Sequence, residues 1–451
     1  MKDFPQREKI EQVASRALEA VHAKGIERAD VYYNAGSGTE WGLRNGEPEI
    51  DKSGASWRMG IRVIDPYGRQ GVADTNDLSK EAVTAMAGWA VANSRLGAGQ
   101  EDVPLFPGPV ELADLRLYDP SVLEITPARR QRICNEMMEV ASRDPRVRSV
   151  RAARWADGRG ETFYASTEGL RLWHSETGVS CGLVVVMEQG EAYDMGGFGL
   201  EACFIDDLDH RAIAAEALER VGLSLGGKAL STGRYTVVLD PEVTATLFEV
   251  VGELFLSQNI HKNLSMLKGK LGERIASAAV TLIDDGTLHG KVGSEPFDGE
   301  GVPSTRTVLL SEGKVEVFLN DLKYAAKDGV APTGNAVRSP GSLPEAGFSN
   351  LYLEPGSDSA ESFLRVPENR LYVTDLMGVH TIDPVSGDYS LGAKGALYSS
   401  GERIQPVSGV TIAGNLLELL ERISSVGDDL RFFGNTGGCS VVIDDVPVAG
   451  L

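Results

Sequence analysis

The sequence predicts an α+β protein, with an N-terminal helix-flanked antiparallel sheet domain followed by a β-rich C-terminal domain. Three observations carry that prediction. Glycine supplies 52 of 451 residues and aromatic residues only 7%, against a usual glycine share of about 7%, which points to many turns between short strands. The N-terminal half alternates 3.6-residue apolar stripes with strand-like runs. Beyond residue 280 the text is nearly all short strands and turns.

Taken in order, the first element is the clearest. Ile10, Val13, Ala14, Ala17, Leu18 and Val21 recur at helical spacing and form one apolar stripe over about four turns. Strand-like segments follow at 29–33, 40–43 and 49–51. Asn45-Gly46 between them is a hairpin signal, because a tight primed turn needs positive φ and these residues tolerate it. Segments 57–64 and 70–73 continue the strands across Pro66-Tyr67-Gly68. A helix over 78–94 follows, with Ser79 as its cap. The same order recurs with a helix over 127–142, strands at 148–155, 161–165, 170–174, 180–188 and 191–199, and a helix over 212–223. These units, about 1–95 and 121–225, make up an N-terminal domain over 1–228. The stretch 95–120 between them, with Gly97, Gly99, Pro104, Pro107, Gly108 and Pro109, reads as a linker.

Gly226-Gly227 and Gly233 open a C-terminal domain over 229–451. A strand at 234–239 leads to Asp240-Pro241, which caps a helix over 241–260 with proline where its missing N–H costs nothing. Strands at 307–310 and 314–319 flank Ser311-Glu312-Gly313 as a hairpin, and 383–387 divides two more. A late helix at 416–423 precedes closing strands at 440–443 and 446–448.

The charge narrows the function. With 44 Lys+Arg against 65 Asp+Glu the formal charge is −21, a surface that repels nucleic acid unless a local basic patch intervenes. The densest basic stretch holds Arg146, Arg148, Arg151 and Arg154. Three of these are at even positions, which in a strand share one side, and a solvated strand face is the reading adopted. The four cysteines lie far apart with no C-x-x-C pair, which suits a reducing compartment. The first residues have no signal-peptide pattern and no run approaches 18 apolar residues, so no membrane span is expected and a cytoplasmic protein is.

The common catalytic motifs are missing. The six histidines form neither H-x-x-x-H nor H-E-x-x-H, and 36–42 lacks the spacing of a phosphate loop. In the helix over 241–260, however, Glu249 and Glu253 stand four apart and share a face, with Gly252 between them. Two readings stay open: an acid/base pair, or a solvated helix face on which like charges cost a few tenths of a kcal/mol.

Several phrases, in this order, resemble the TldD/TldE (PmbA) family, historically named modulators of DNA gyrase and understood as metalloprotease subunits. They are 60–63 with 71–77, LKGKLGERIASAAVTLI at 267–283, Asp284-Asp285-Gly286-Thr287, Phe297-Asp298-Gly299-Glu300-Gly301, Thr333-Gly334-Asn335 with Arg338, and PVSGVTIAGN at 406–415. The resemblance covers almost the whole chain. The glycines and asparagines of FDGEG and TGNAVR fit either tight turns or a fold-wide interface.

The resemblance implies a site on the helix after the domain boundary. TldD-like chains carry His-Glu-x-x-x-His there, with a cysteine near the C-terminus completing a zinc site and the glutamate as general base. Here Phe248 stands for the first histidine, Glu249 is retained and Glu253 stands for the second. Positions five apart lie about 140° round a regular helix, so a working motif implies a distorted helix, which Gly252 would preserve. Cys439 belongs with the family's final strand pair and is not assigned as a ligand.

The chain is thus expected to be a TldE-like subunit, without catalytic or cofactor residues of its own. It would form a heterodimer with a TldD-like partner that holds zinc, and would bind peptide as an added strand. An isolated chain could form a homodimer. Two other readings remain: an autonomous metallopeptidase using Glu249 and Glu253 with His261 or His289, or a non-proteolytic binder related to gyrase or an antitoxin.

Overall fold

The computed structural model describes residues 4–97 and 103–451; Gly99 of the expected linker lies outside them. The first unit runs α1 (Arg7–His22), β1 (Arg28–Arg44), β2 (Glu47–Ile64), β3 (Gln70–Thr75) and α2 (Lys80–Ser94). The second repeats that order as α3 (Pro127–Ser142), β4 (Val147–Ser166), β5 (Arg171–Gln189), β6 (Ala192–Ala202) and α4 (His210–Ser224). Their strands form one antiparallel six-stranded sheet in the order β3-β2-β1-β4-β5-β6, with β1 and β4 joining the units at its centre.

The stripe on α1 is buried as its periodicity requires, and it packs with α2 against alternate residues Val31, Tyr33 and Ala35 of β1. Helices α3 and α4 cover the same face of the other half, over Trp155, Cys181, Leu183 and Val185. The opposite face of the sheet therefore looks toward the rest of the chain.

The strands are longer than the sequence suggested. Segments read as separate strands are continuous in β1, β2, β4 and β5, because neighbouring strands pair through the glycine-bearing stretches between them, and at some of these glycines the backbones approach closely. A Cβ added at Gly158 of β4 would meet Ser37 O of β1 at 2.6 Å. Asn45 and Gly46 do make the hairpin turn, at φ 49° and 83°. The arginine stripe differs from simple alternation. Register shifts between Val147 and Ser149 and between Val150 and Ala152 re-phase β4, so that Arg148, Arg151 and Arg154 are all exposed.

The C-terminal domain opens with β7 (Gly233–Leu239), α5 (Pro241–Glu253) and α6 (Ser257–His261). Next come β8 (Leu282–Asp285), β9 (Arg306–Ser311), β10 (Lys314–Val315) and a short α7 (Leu322–Asp328) that the sequence reading missed. Four more strands lead toward the middle of the domain: β11 (Ala336–Val337), β12 (Glu345–Ala346), β13 (Leu351–Leu353) and β14 (Arg370–Met377). After β15 (Asp388–Ser399), β16 (Glu402–Asn415) and α8 (Leu416–Glu421) the chain ends in β17 (Ile423–Val426), β18 (Arg431–Phe433), β19 (Thr436–Gly438) and β20 (Val441–Ala449).

These strands build two six-stranded sheets, β16-β15-β14-β7-β20-β17 and β10-β9-β8-β13-β19-β18, with β11 and β12 paired apart. Helix α5 packs against strands of both sheets and buries Leu247, Phe248 and Val251 in their shared core. The helix expected over 241–260 is broken after Glu253. Phe255 O and Ser257 N both pair with Leu319, so the backbone between them serves a bridge and cannot continue the helical ladder.

The segment read as a linker is packed. Phe106, Val110 and Leu112 lie on Tyr32, Tyr164 and Leu170, on the helix-free side of the N-terminal sheet. Among the described residues no helix is long and apolar enough to cross a membrane.

Candidate functional site

Helix α5 is fixed at its start. The Asp240 side chain accepts hydrogen bonds from the backbone N–H groups of Glu242 and Val243 at 3.0 and 3.1 Å, a cap of the kind that satisfies otherwise orphaned donors. Arg220 from α4 holds the same carboxylate at 2.6 Å, which ties the cap to the N-terminal domain.

From that cap the helix divides its residues by face. Phe248 is fully buried at 0% exposure in the apolar core, whereas Glu249 and Glu253 are exposed. The two carboxylates line a groove of about 740 Å³ with Asn259, Leu264, the end of β14 at Leu376 and the turn carrying His380. Among the described residues, His380 is the one imidazole that reaches this groove.

The other residues weighed as ligands lie elsewhere. His261 is held by Asp328 at 2.8 Å and stacks on Tyr324 at 5.0 Å, and His289 is on an exposed turn. The Cys439 thiol is buried, set 3.8 Å from the Leu353 carbonyl, and burial pushes it up to about 12. Among the described residues no three His, Cys, Asp or Glu side chains stand close enough to share a metal ion. Gly252 does not distort the helix, which is regular through Glu253. Its role is close packing, since a Cβ there would meet Leu351 Cδ2 at 2.4 Å.

A second polar centre lies where the two domains meet. Arg62 of β2, exposed by 1%, binds Asp30 of β1 at 2.5 Å and reaches Glu300 of the C-terminal domain at 2.7 Å. Arg338 closes the figure on Asp30 Oδ1 at 2.7 Å, and Glu300 accepts from the Leu322 backbone N–H at 2.7 Å. Burial alone would raise the Asp30 carboxyl, but the guanidinium groups of Arg338 and Arg62 outweigh it and hold it below the usual carboxylate range.

Other phrases of the resemblance surround this figure. Asp298 accepts from the backbone N–H groups of Glu300, Val302 and Ala336, and Asp284 accepts from Asn335 Nδ2 at 2.6 Å and Ser349 N at 2.7 Å. Burial raises Asp298 to about 8, helped by the Glu300 charge, and raises Asp284 to about 7. Both earlier readings of FDGEG and TGNAVR therefore hold at once. Gly301 and Gly334 adopt φ 79° and 73°, and the turns they make face the other domain.

Three family models match consecutive parts of the chain: PmbA/TldA metallopeptidase domain 1 over 29–94, the central domain over 120–225 and the C-terminal domain over 232–450. The chain belongs to the PmbA/TldD family. It is 29% identical over 435 residues to a metalloprotease of Methanothermobacter thermautotrophicus, covering 94% of this chain and 92% of that one. It is 27% identical over 466 residues to metalloprotease PmbA of Escherichia coli O157:H7, covering 99% and 97%. The crystal structure of a putative modulator of a DNA gyrase from Thermotoga maritima superposes with a TM-score of 0.88 at 26% identity, covering 98% of this chain and 100% of that one. Within this PmbA/TldD chain, the groove on α5 thus sits in a proteolytic family, while several of the phrases that mark the family gather at the domain junction.

Proposed function

We propose that this PmbA/TldD chain is a TldE-like, non-catalytic subunit of a cytoplasmic metallopeptidase, paired with a TldD-like chain that supplies the zinc. Phe248 carries the reading. By the family resemblance, a fully buried phenyl ring stands where TldD-like chains carry the first zinc-binding histidine, and it offers no lone pair to a metal. Glu249 and Glu253 with His380 do not make up for it, because they do not form a ligand cluster. The residues of α5 do not fit zinc, and no step through a metal is assigned to this chain.

Its contribution is then to bind and orient peptide. Strand β14 pairs with β7 only over Arg370–Val373, while β15 accompanies it on to Met377. Residues 374–377 thus run beside α5 with a strand on one side only. An extended peptide could add there through backbone hydrogen bonds, the mode that suits unfolded segments of varied sequence. The four cysteines are free and buried, in keeping with a reducing compartment.

The test is native mass spectrometry with a peptidase assay, on the chain alone and mixed with a TldD-like partner. The expected result is a metal-free monomer or homodimer alone, and a heterodimer that cleaves an unfolded peptide when mixed. One zinc per chain retained through chelator, with cleavage by the chain alone, overturns the reading and favours an autonomous enzyme. Binding to a gyrase or antitoxin protein without any cleavage favours the non-proteolytic alternative.

A further inference from the structure

The helix-free face of the N-terminal sheet carries a feature that the α5 groove does not use. In register, Gly38 lies opposite Gly158, Gly158 opposite Gly178, and Gly182 opposite Gly199. Ala156 and Ser180 pair between these rows. A sheet normally covers such a face with side chains; here glycine, alanine and serine leave a floor of bare backbone.

Two connected cavities lie on this floor. One, of about 830 Å³, extends toward Arg44, Arg151 and Arg154. The other, of about 400 Å³, shares Glu40, Ala156, Ser180 and Glu201 with it and continues to Lys52, Gly178 and Glu176. Glu201 and Val292 lead on to a pocket of about 310 Å³ holding Glu295 and Asp298. Between Ala152 and Gly158 the floor runs about 20 Å at ~3.3 Å per residue, the length of about six extended residues.

The trough is polarised in a chain whose net charge is −21. At one end three arginines converge. Arg44 has Glu49 at 2.6 Å, and Arg154 has Glu40 at a loose 3.9 Å. Glu242, which also borders this end, is engaged by Arg220 at 2.6 Å. Arg151 is exposed and stands in the bulge between Val150 and Ala152, which turns it out beside Arg154. Beyond the middle row, where Glu40 and Glu201 border both cavities, the far end carries Glu176, held by His174 at 3.3 Å, and Glu295 against one cation, Lys52. Guanidinium forks match a carboxylate in geometry as well as charge.

We propose that this trough binds a short extended peptide of about six residues, with its terminal carboxylate on Arg151 and Arg154 and its amino end toward Glu201 and Glu295. The glycine floor admits the peptide backbone whatever its side chains, and the charges at the two ends set its direction. The proposal rests on the peptide-handling reading above, but it places recognition on the N-terminal sheet and needs neither partner nor cleavage.

The test uses the full chain alone, with fluorescence anisotropy of a neutral six-residue alanine–glycine peptide labelled within the chain. Three ligands are compared: the free acid, the C-terminal amide, and an amide carrying one internal aspartate. The expected result is binding of the free acid and a tenfold or greater loss on amidation that the internal aspartate does not restore. Arg151→Glu should abolish the difference between acid and amide. Gly178→Leu should weaken both peptides at least tenfold, and it should fold, because a Cβ there meets nothing within 4 Å. Circular dichroism confirms the fold of each variant.

Equal binding of acid and amide, full rescue by the internal aspartate, or undiminished binding by a folded Gly178→Leu variant overturns the proposal. So does no binding at all by the parent chain. Because the readout is binding by the chain alone, failure here leaves the subunit assignment standing. Conversely, a zinc-retaining, self-active chain that still shows the acid–amide difference overturns the subunit assignment and not the trough.

Discussion

The groove on α5 and the junction between the domains are both polar, yet they are built on opposite terms. At the groove, Glu249 and Glu253 stand in solvent and, among the described residues, form no ion pair that fixes their position. At the junction, Asp30, Arg62, Glu300 and Arg338 are nearly devoid of solvent and every charge is matched. A charge in water is cheap to keep or lose, and a buried charge with its partner removed is not. The comparison teaches that shared phrases such as those at 60–63, FDGEG and TGNAVR record a joint that holds two domains in one geometry.

The largest effect should therefore come from the joint. Arg62→Ala leaves Glu300 buried without its cation and Asp30 with one guanidinium instead of two, and it should cost about 4 kcal/mol in urea unfolding. Adding Glu300→Gln should cost much less than the sum of the two single changes, because the charge orphaned by the first is removed by the second. Strict additivity would mean that the pair does not couple the domains.

Next is the apolar side of α5. Phe248→Ala opens a cavity among Leu247, Val251 and Leu254 and should cost about 3 kcal/mol. Phe248→His should cost a similar amount and fail to create a zinc site, because the ring position faces the core and not the groove. Zinc-dependent stabilisation of that variant would show that the helix can rotate its faces and would erase the contrast.

A third test concerns pH at the joint's periphery. Burial raises Asp284 to about 7, above the ordinary unfolded value near ~4. Between those values the folded chain keeps a proton that the unfolded chain has lost, so stability falls as pH rises from about 4 through 7, and below about 4 this group contributes nothing. Asp284→Asn cannot ionise. The introduced amide could donate to Asn335 Oδ1, which has no hydrogen-bond partner, once the Asn335 amide turns over. Relative to the parent, this variant should gain about 2 kcal/mol between pH 5 and pH 8. Parallel urea profiles at the two pH values would show Asp284 ionised in the fold throughout.

Much of this was legible in the residues, and the misses share a cause. The α1 stripe, the Asn45-Gly46 turn, the Asp240-Pro241 cap and the duplicated unit depend on local periodicity and φ preference, which one sequence displays. The gaps left between 33 and 40, between 51 and 57 and between 174 and 180 are filled with strand, because pairing to a neighbouring strand is invisible along the chain. The helix end at Glu253 depends on Leu319, 66 positions later. The junction escaped notice for the same reason: Arg62 and Glu300 meet across 238 positions, and only the family phrases hinted that both mattered. The even–odd reading of the arginines failed at two bulges, which alternation cannot foresee.

The smallest expected effect is the most discriminating for the groove. Glu249→Gln with Glu253→Gln removes two like charges at i and i+4 on an exposed face, so stability should change by less than about 0.5 kcal/mol, and in the stabilising direction. The same pair decides whether the face is idle toward metals. Zinc added to the parent should leave its melting temperature within error of the double variant's, because two carboxylates in water without a third ligand bind it weakly. A zinc-dependent rise in the parent that the double variant lacks would mean that His380 or a backbone carbonyl completes a site with the two glutamates. In that case the groove, and not only the joint, would be under chemical constraint.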